Sequence, residues 1–324
     1  MKRHAVLSLV LTGGVLAGAV SAASRKTVPS PDPVLNFFLV ADRNELRLDY
    51  KGLPLLGYAF ATNQFKPYVR DLYAFNGVNV LRDAPADHLH HHALMYAIKV
   101  NGTNFWEETP VAGYERPGRD LLRTVGRDKA GRPKAEFSQP IYWVTPDHAT
   151  LPDPAPVALL VERRTITLTV DEKAGEVALE WRGDFEVGPA STKITLGGAA
   201  YHGLGLRLPE AFDKVARHQN SDDVPYTAEQ KWDVTPAKWA SVAGAVGGKD
   251  VMVALFSHPS NRNPPKFFSM IDGFAYLSAT QGLDTTPIEY SAGEKFSVRY
   301  LLTVYPAKKS KESLAARYSR WTSE

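Results

Sequence analysis

The residues best suited to chemistry in this chain lie in the stretch DHLHHHALMYA, residues 87–97, which holds four of its nine histidines within five positions. Histidine has the side chain whose unperturbed pKa lies nearest to physiological pH, and its neutral imidazole is also a common metal ligand. The stretch therefore predicts either a metal site or an acid–base site. The remaining alternative is a histidine run that has neither role.

The local backbone decides which of these imidazoles meet. An extended strand would place His88, His90 and His92 on one face, because side chains alternate along a strand. A helical turn would gather His88, His91 and His92 instead. Either arrangement supplies the two or three imidazoles that a metal needs, and Asp87 would then hold the second ring nitrogen of a ligand histidine.

A second candidate stretch is YHGLGLRLP, residues 201–209. Glycines within a strand indicate close approach of another backbone or of a ligand. A regular strand would put Gly203, Gly205 and Arg207 on one face and His202 on the other. His202 and Arg207 therefore reach the same site only if the strand ends or bulges, and the alternative is a weak strand with surface side chains.

Two further motifs carry polar side chains at strand ends. In FSHPSNRNPP, His258 and Asn261 are candidate hydrogen-bond partners of a ligand, because loops at strand ends often carry function. In KPYVRD, Arg70 has the planar guanidinium that binds a carboxylate or a pair of sugar hydroxyls. The alternatives are a plain turn for the first motif and a surface ion pair with Asp71 for the second.

Trp106 and Glu107 follow the histidine stretch, in VNGTNFWEE. A tryptophan ring is a stacking platform for a sugar, and Glu107 is a candidate acid, base or metal ligand. A buried tryptophan beside an exposed glutamate would explain the same pair without a function. The dipeptide Asn101-Gly102 just before them is typical of a tight hairpin turn.

The elements that must position these residues are predicted to be strands. The segment VALLVERRTITLTVDEKAGEVALEWRGDFEV shows the two-residue period of long half-buried strands joined by a turn, and VMVALF, FAYLSAT and KFSVRYLLTVY are further strands. Only the end of the chain, from Ser310 to Trp321, predicts a helix, whose apolar face is formed by Leu314, Ala315, Tyr318 and Trp321. Many strands without βαβ alternation predict an all-β fold, a large antiparallel β-sandwich with a short C-terminal helix.

The N-terminal residues 1–22 combine a basic start, an apolar run and small residues at a cleavage site, which predicts a signal peptide. Residues 23–33 form a polar, proline-rich linker, and we expect residues 34–324 to form a single domain. The product would be periplasmic or secreted, with no membrane span after cleavage. Cleavage lowers the net charge from +3 to +1, because it removes two basic residues and no acidic residue. This balance does not indicate a nucleic-acid partner.

The composition also limits the chemistry. The chain has no cysteine, which excludes disulfides, thiolate ligands and cysteine nucleophiles. A metal would be a divalent ion held by imidazole and oxygen ligands, such as Zn, Cu, Mn or Ca. The sequence contains no GxSxG, P-loop, HExxH or EF-hand pattern, so a serine hydrolase, a nucleotide enzyme and a zincin are poorly supported.

The order of these motifs resembles that of the bacterial methane oxygenase PmoA-like family. The resemblance runs over residues 45–305 through KPYVRDL, GVNVLRDAPADHLHHHAL, VNGTNFWEE, GLGLRLP and FSHPSNRNPP. Its sharpest element is a D-H-x-H-H core formed by Asp87, His88, His90 and His91. At the next position the family has a basic residue followed by glycine, so the resemblance assigns no role to the fourth histidine of the stretch.

The resemblance implies a β-supersandwich similar to galactose mutarotase and polysaccharide lyases, and a place among exported proteins of carbohydrate catabolism. We therefore expect an exported carbohydrate-active enzyme, a hydrolase, lyase or epimerase, whose partner is a small carbohydrate or glycan. The expected catalytic residues are His88, His90, His91 and Asp87. The three histidines would also be the ligands of any metal. The expected substrate-binding residues are Arg70, Trp106, Glu107, His202, Arg207, His258 and Asn261. The alternatives are a glycan-binding protein without catalysis and a histidine-ligated metal or redox protein.

Overall fold

The computed structural model describes residues 34–226 and 231–324, so the predicted signal peptide and linker lie outside the described residues. Within this part of the chain the polypeptide forms 22 strands, four short 3-10 helices and one α-helix. The strands are β1 (Leu35–Val40), β2 (Glu45–Tyr50), β3 (Leu53–Ala59), β4 (Tyr68–Leu72), β5 (Leu94–Ala97), β6 (Lys99–Val100), β7 (Thr103–Asn104), β8 (Tyr114–Pro117), β9 (Leu122–Arg127), β10 (Pro133–Val144), β11 (Leu160–Asp171), β12 (Glu176–Val187), β13 (Lys193–Gly197), β14 (Gly203–Arg207), β15 (Arg217–Asn220), β16 (Trp232–Pro236), β17 (Trp239–Val246), β18 (Lys249–Ser257), β19 (Lys266–Met270), β20 (Tyr276–Thr280), β21 (Ile288–Ser291) and β22 (Lys295–Tyr305). The 3-10 helices are Ala41–Arg43, Pro146–His148, Ala155–Val157 and Glu210–Phe212, and the α-helix, α1, is Lys311–Thr322.

The strands form two large antiparallel sheets and one small sheet. The first sheet has nine strands in the order β1-β2-β3-β4-β5-β14-β20-β19-β16. The second also has nine, in the order β15-β17-β18-β22-β12-β11-β10-β8, with β9 pairing β10. The small sheet runs β21-β13-β6-β7. Long strands pair in perfect register, as β11 and β12 do from Leu160 opposite Val187 to Asp171 opposite Glu176.

The two large sheets share one hydrophobic core. Aromatic side chains of the first sheet contact those of the second: the ring of Tyr58 lies 4.8 Å from that of Phe137, and the ring of Tyr96 lies 6.1 Å from that of Trp143. Along β11 the burial alternates residue by residue, with Ile166, Leu168 and Val170 inside. This alternation is what buries one face of a sheet. The predicted all-β antiparallel sandwich is therefore confirmed.

The C-terminal helix packs on the outer face of the second sheet, where a smaller apolar cluster surrounds Leu314 and Trp321. Ser310 caps it by accepting a hydrogen bond from the backbone N–H of Ser313. The helix was predicted correctly and its buried face in part: Leu314 and Trp321 are buried and Tyr318 is half-buried, whereas Ala315 is exposed and Arg317 is buried instead. Arg317 is tolerated there because its guanidinium bonds the buried carboxylate of Glu176 at 2.9 Å. No helix in the described ranges is long and apolar enough to cross a bilayer.

Three local features complete the fold. The segment from Tyr114 to Lys134 contains β8 and β9, and β9 forms a hairpin with β10. Asn101 and Gly102 form the tight turn between β6 and β7, both with positive φ, of 50° and 81°. The histidines precede β5, which lies between β4 and β14 at the middle of the first sheet.

One close contact in the middle of the first sheet yields a prediction. A Cβ atom at Gly205 of β14 would lie 2.0 Å from Oη of Tyr276 and 2.8 Å from Cη2 of Trp106. Gly205→Ala should therefore lower the free energy of unfolding by about 1 to 3 kcal/mol, because overpacking displaces rigid rings. Urea denaturation measures this.

The matched control is Gly126→Ala in β9, where an added Cβ has no atom within 4 Å. This variant should change the free energy of unfolding by less than about 0.5 kcal/mol. Equal effects of the two substitutions would contradict the packing described around Gly205.

Candidate functional site

The histidines of the stretch lie on a compact loop, residues 84–93, which we call the histidine loop. Its backbone makes two successive turns: the N–H of His88 donates to the carbonyl of Pro85, and the N–H of His91 donates to the carbonyl of His88, each at 2.9 Å. The N–H of Ala84 then donates to the carbonyl of His91 at 3.0 Å. These bonds make the stretch turned rather than extended.

The loop is closed where its two ends meet. Asp83 and His92 form an isolated antiparallel bridge, and β5 begins two residues later. The residues just inside this bridge and just after it, Ala84 and Ala93, have φ of 40° and 39°. Alanine in the left-handed region costs about 1 kcal/mol or more per residue, so the surrounding contacts must hold both ends in place.

The turned backbone brings three of the four imidazoles together. The rings of His88 and His91 stack with centroids 4.6 Å apart, and the ring of His90 lies 4.6 Å from that of His91 and 5.9 Å from that of His88. His92 has no such ring contact with the other three. The structure therefore gathers the three histidines of the D-H-x-H-H core, while a simple helical turn would have gathered His88, His91 and His92.

Asp87 links the loop to β14. Its Oδ2 atom lies 3.0 Å from Nδ1 of His88 and accepts a hydrogen bond from Nη2 of Arg207 at 3.1 Å. Partial burial raises the pKa of Asp87, but the bonds from His88 and Arg207 outweigh it, and the net pKa is lowered. Asp87 is thus a carboxylate that holds the His88 imidazole by one nitrogen and leaves the other free for a ligand.

His90 has a carboxylate of its own. Its Nε2 atom lies 3.4 Å from Oε2 of Glu107, whose other oxygen accepts a hydrogen bond from Tyr201 at 3.4 Å. Burial lowers the pKa of His90, and the charge of Glu107 only partly compensates, so the net pKa is lowered. His90 is therefore neutral near pH 7 and able to accept a proton, with an anion behind it to stabilise the imidazolium.

His91 is the buried member of the group. It is 6% exposed and its Nδ1 atom has no hydrogen-bond partner among the described residues. The rings of Phe274 and Tyr276 lie 5.5 and 5.6 Å from its ring. Burial, followed by the charges of His90 and His88, lowers the pKa of His91 to about 3. This imidazole stays neutral, so it can offer a neutral N–H or a lone pair but not a positive charge.

Trp106 and His202 form the floor under these rings. Trp106 is fully buried, stacks on the ring of His202 at 5.1 Å and an angle of 12°, and lies 6.3 Å from the ring of His91. His202 precedes β14, which begins at Gly203 with φ of 135°, so the strand does not force it to the opposite face from Arg207. Arg207 bonds Asp87 of the loop directly, and His202 contacts the site through Trp106.

His92 holds the loop in place through both of its ring nitrogens. Its Nδ1 lies 2.9 Å from Oδ1 of Asp83, its Nε2 lies 3.0 Å from Oε1 of Glu108, and its ring stacks on Tyr68 at 4.4 Å. Burial lowers the pKa of His92, but the two carboxylates outweigh it and the net pKa is raised. The buried Nζ of Lys66 bonds the same Glu108 oxygen at 2.7 Å.

The comparisons with known proteins now bear on this site. A model of a family of unknown function, DUF6807, matches residues 45–319. The chain belongs to the DUF6807 family. No curated protein matches the sequence. The predicted membership of the methane oxygenase PmoA-like family is wrong, because the family whose model matches is DUF6807. The short D-H-x-H-H core and the order of the motifs reflect local chemistry. These features alone do not identify the family.

Solved structures similar to this DUF6807 chain include carbohydrate-related proteins. An α-galactosidase from Lactobacillus brevis is 9% identical, with 86% of this chain and 42% of that chain covered, at a TM-score of 0.52. A TPR-domain containing protein from Parabacteroides distasonis is also 9% identical, with 86% and 48% covered, at a TM-score of 0.42. A galactose mutarotase related enzyme from Lactobacillus acidophilus is 8% identical, with 79% and 96% covered, at a TM-score of 0.36. This chain spans less than half of the first two proteins, and the similarity to the α-galactosidase shows the fold alone.

Three of the predicted site residues of this DUF6807 member lie apart from the histidine loop. Arg70 bonds both carboxylate oxygens of Glu45 at 2.8 Å and also pairs with Asp71. His258 bonds Ser260 and lies against the C-terminal helix, and Asn261 holds the backbone of residue 299 on β22. Each has a structural partner that satisfies it, so the geometry gives no support to their predicted roles in substrate binding. Trp106 is at the site, but a fully buried ring offers no platform for a sugar.

The predicted metal site finds no support in the geometry. Among residues 34–226 and 231–324, no group of three or more His, Asp and Glu side chains is placed to hold a metal ion. The rings of His88 and His91 stack at 23°, whereas ligands of one ion point their nitrogens at a common centre. Nδ1 of His88 and Nε2 of His90 already face carboxylates.

The structure adds site residues that the sequence did not single out. Tyr201 bonds Glu107, and Phe274 and Tyr276 pack on the ring of His91. Phe274 and Tyr276 lie within the predicted strand FAYLSAT, but β20 begins only at Tyr276, so Phe274 belongs to the connection before it. The one available signal was Gly205, because a glycine in a strand indicates a bulky neighbour, here Tyr276.

The anchor at His92 yields a stability prediction. His92→Gln should lower the free energy of unfolding by about 3 kcal/mol at pH 6, because it leaves Asp83 and Glu108 without their shared cation. Since the pKa of His92 is raised on folding, its contribution is fully present below its ordinary pKa and is lost as the pH rises through the folded pKa. The difference between wild type and variant should therefore shrink between pH 6 and pH 9 in urea denaturation.

The control is His148→Gln, which changes a histidine with a 36% exposed side chain outside this site. It should leave the free energy of unfolding within about 0.5 kcal/mol of wild type at every pH. A His92 difference that is constant with pH would show that His92 does not act as a cation between the carboxylates.

Proposed function

We propose that this DUF6807 protein is an exported enzyme that transfers protons on a sugar or an oxidised sugar derivative, as an epimerase or a lyase does. The observation that carries the proposal is a pair of carboxylate-held imidazoles on one loop, Asp87 with His88 and Glu107 with His90. The carbohydrate-related proteins among the solved structures with a similar fold support the choice of a sugar, and they do not identify the reaction.

The two imidazoles have different roles in the proposed mechanism. His90 is the base, because its pKa is lowered and Glu107 stabilises the imidazolium that forms when it takes a proton. His88 is the acid in its protonated form: Asp87 accepts the hydrogen bond from Nδ1, and the second proton lies on the nitrogen that Asp87 does not hold. Their ring centroids lie 5.9 Å apart, so both rings can reach the same bound sugar, one to take a proton and the other to give one.

Buried and half-buried residues surround this pair of imidazoles. His91 stays neutral between the two and lends a polar nitrogen without adding a charge. Tyr201 fixes Glu107 from the side, and the fully buried Trp106 keeps the floor of the site apolar. The low dielectric of this floor strengthens the electrostatic attraction within the two carboxylate–imidazole pairs above it. This favours proton transfer over solvation of these side chains by water.

The proposal predicts a large loss of turnover in His90→Ala. The full-length chain would be incubated with a panel of neutral sugars, uronates and 3-keto sugars, and conversion followed by proton NMR. Removing a general base lowers the rate by about 10²- to 10⁴-fold, with the fold unchanged by circular dichroism. The matched control, His258→Ala, changes a histidine outside the site and should retain wild-type turnover. Equal turnover by His90→Ala and wild type would refute the role of His90.

A second prediction concerns the pH profile. Glu107→Gln removes the anion that raises the pKa of His90, while burial continues to lower it. The acid limb of the kcat/KM profile reports the protonation of this base, so the limb should move to lower pH in the variant, with a lower maximum. A limb that stays in place or moves to higher pH would contradict the pairing of Glu107 with the base.

Binding of a sugar without conversion of any member of the panel would contradict enzymatic function altogether.

A further inference from the structure

Arg207 is a buried cation with unused hydrogen-bond donors. Its side chain is 1% exposed, and its Nη2 atom donates to Asp87 at 3.1 Å. Its Nε and Nη1 atoms are buried and have no hydrogen-bond partner among the described residues. A buried charged donor left without an acceptor costs several kcal/mol, so such groups are normally satisfied by an anion, water or ligand. The unused donors of Arg207 thus indicate a missing acceptor.

These donors lie at the histidine loop. Arg207 ends β14, its backbone N–H donates to the carbonyl of Ala93 at 2.8 Å, and its partner Asp87 also holds His88. The ring of Phe274 covers the guanidinium, with the central carbon 3.8 Å from the ring centroid. An acceptor that reaches the guanidinium would therefore lie beside the proposed acid and base.

The residue that covers Arg207 lies in a loop, next to a glycine. Phe274 is half-buried and lies in the short connection between β19 and β20. The residue before it, Gly273, has φ of 130°, a conformation that glycine adopts readily. A rotation at Gly273 would swing the ring off the guanidinium without disturbing either strand.

The charges around Arg207 leave it short of negative charge. Asp87 is shared with His88, and Asp213 lies near but also faces Arg82, at 3.7 Å. Burial lowers the pKa of Arg207, and the charges of Asp87 and Asp213 do not fully restore it, while Arg82 lowers it further. Arg82 also has Glu210 at 3.2 Å, so a ligand with a negative charge would compensate Arg207.

We propose that Arg207 binds the carboxylate of an acidic sugar, a uronate, after the ring of Phe274 moves aside. The inference rests on the proposed function, because it takes the ligand of the histidine loop to be a sugar. Guanidinium and carboxylate groups pair through two parallel charge-assisted hydrogen bonds. In Arg207 one bond would come from an unused donor, Nε or Nη1, and the other from the second N–H of Nη2, which a single neutral hydroxyl could not match.

A bound carboxylate also explains what the acid and base would do. In a uronate the carbon that bears the carboxylate, C5, carries a hydrogen whose acidity rises when the carboxylate is neutralised. His90 takes that proton, the C5–H electron pair moves into the carboxylate, and Arg207 stabilises the additional negative charge. His88 then returns a proton to the opposite face of C5. The configuration at C5 inverts, with no oxidant, reductant or co-reactant.

The test is a binding measurement that does not require turnover. Isothermal titration calorimetry on His90→Ala would compare D-galacturonate, D-glucuronate and D-mannuronate with the corresponding neutral sugars and with their uncharged methyl esters. At least one uronate should bind about tenfold or more tightly than both its neutral sugar and its ester, since a charged hydrogen bond contributes at least that much. Phe274→Ala, added to the same protein, should strengthen binding of that uronate, because no ring has to move.

The preference should depend on Arg207 itself. Arg207→Gln should reduce the ratio between acid and ester to about one, whereas Arg82→Gln, which removes a neighbouring cation, should preserve most of it. If Arg207→Gln does not fold, as judged by circular dichroism, the comparison of acid with ester on the parent protein decides. Equal binding of acid and ester, or a preference that survives in a folded Arg207→Gln, overturns the inference.

The result of the uronate-binding test can be distinguished from the result of the turnover test of the proposed function. Turnover of a neutral sugar with no preference for any uronate would leave the enzyme proposal standing and overturn the role of Arg207. A uronate preference that depends on Arg207, in a protein that converts no sugar, would support the inference and refute the catalytic proposal.

Discussion

The interaction on which the site depends is that of His92 with the carboxylates of Asp83 and Glu108. Both ends of the histidine loop carry an alanine with positive φ, and these conformations persist only if other contacts hold them. His92 supplies such a contact, because one nitrogen binds the strand-like segment that enters the loop and the other binds Glu108, which Lys66 holds in turn. The pKa of His92 is raised, which strengthens the contact near neutral pH. Burial raises the pKa of Glu108, but the bonds and charges of His92 and Lys66 outweigh burial and lower that pKa to about 2.

The same residue type serves four purposes within five positions because four environments surround it. His92 lies between two anions and is a cation. His91 lies among aromatic rings and is neutral, with its pKa lowered to about 3. His88 and His90 lie nearer the surface, and each has one carboxylate. A cluster of histidines is thus divided by burial and by partners into an anchor, a neutral spacer and two groups suited to proton transfer.

The sequence predicts what depends on local pattern. Period-two alternation indicated the long strands, and the capped helix at the end of the chain was recognised from its 3 and 4 spacing. Asp87 and His88 are neighbours in sequence, so their pairing was within reach of a spacing argument. The contacts of Arg70 could not be predicted from spacing, because its partner Glu45 lies two strands away in a sheet whose order the sequence does not state. Phe274 and Tyr276 meet the loop for the same reason, since β14 lies between β5 and β20 in the sheet although these strands are far apart in the sequence.

The most direct test of the central claim is to observe the imidazoles when a sugar binds. Nitrogen-15 NMR of histidine-labelled protein would be recorded with increasing D-galacturonate, D-glucuronate, D-mannuronate or the matching neutral sugars, with single substitutions to assign each ring. The account predicts that a binding sugar shifts the ring nitrogens of His88 and His90, and leaves those of His218 and His258 unchanged. A bound sugar that shifts none of the rings of the histidine loop would contradict the account.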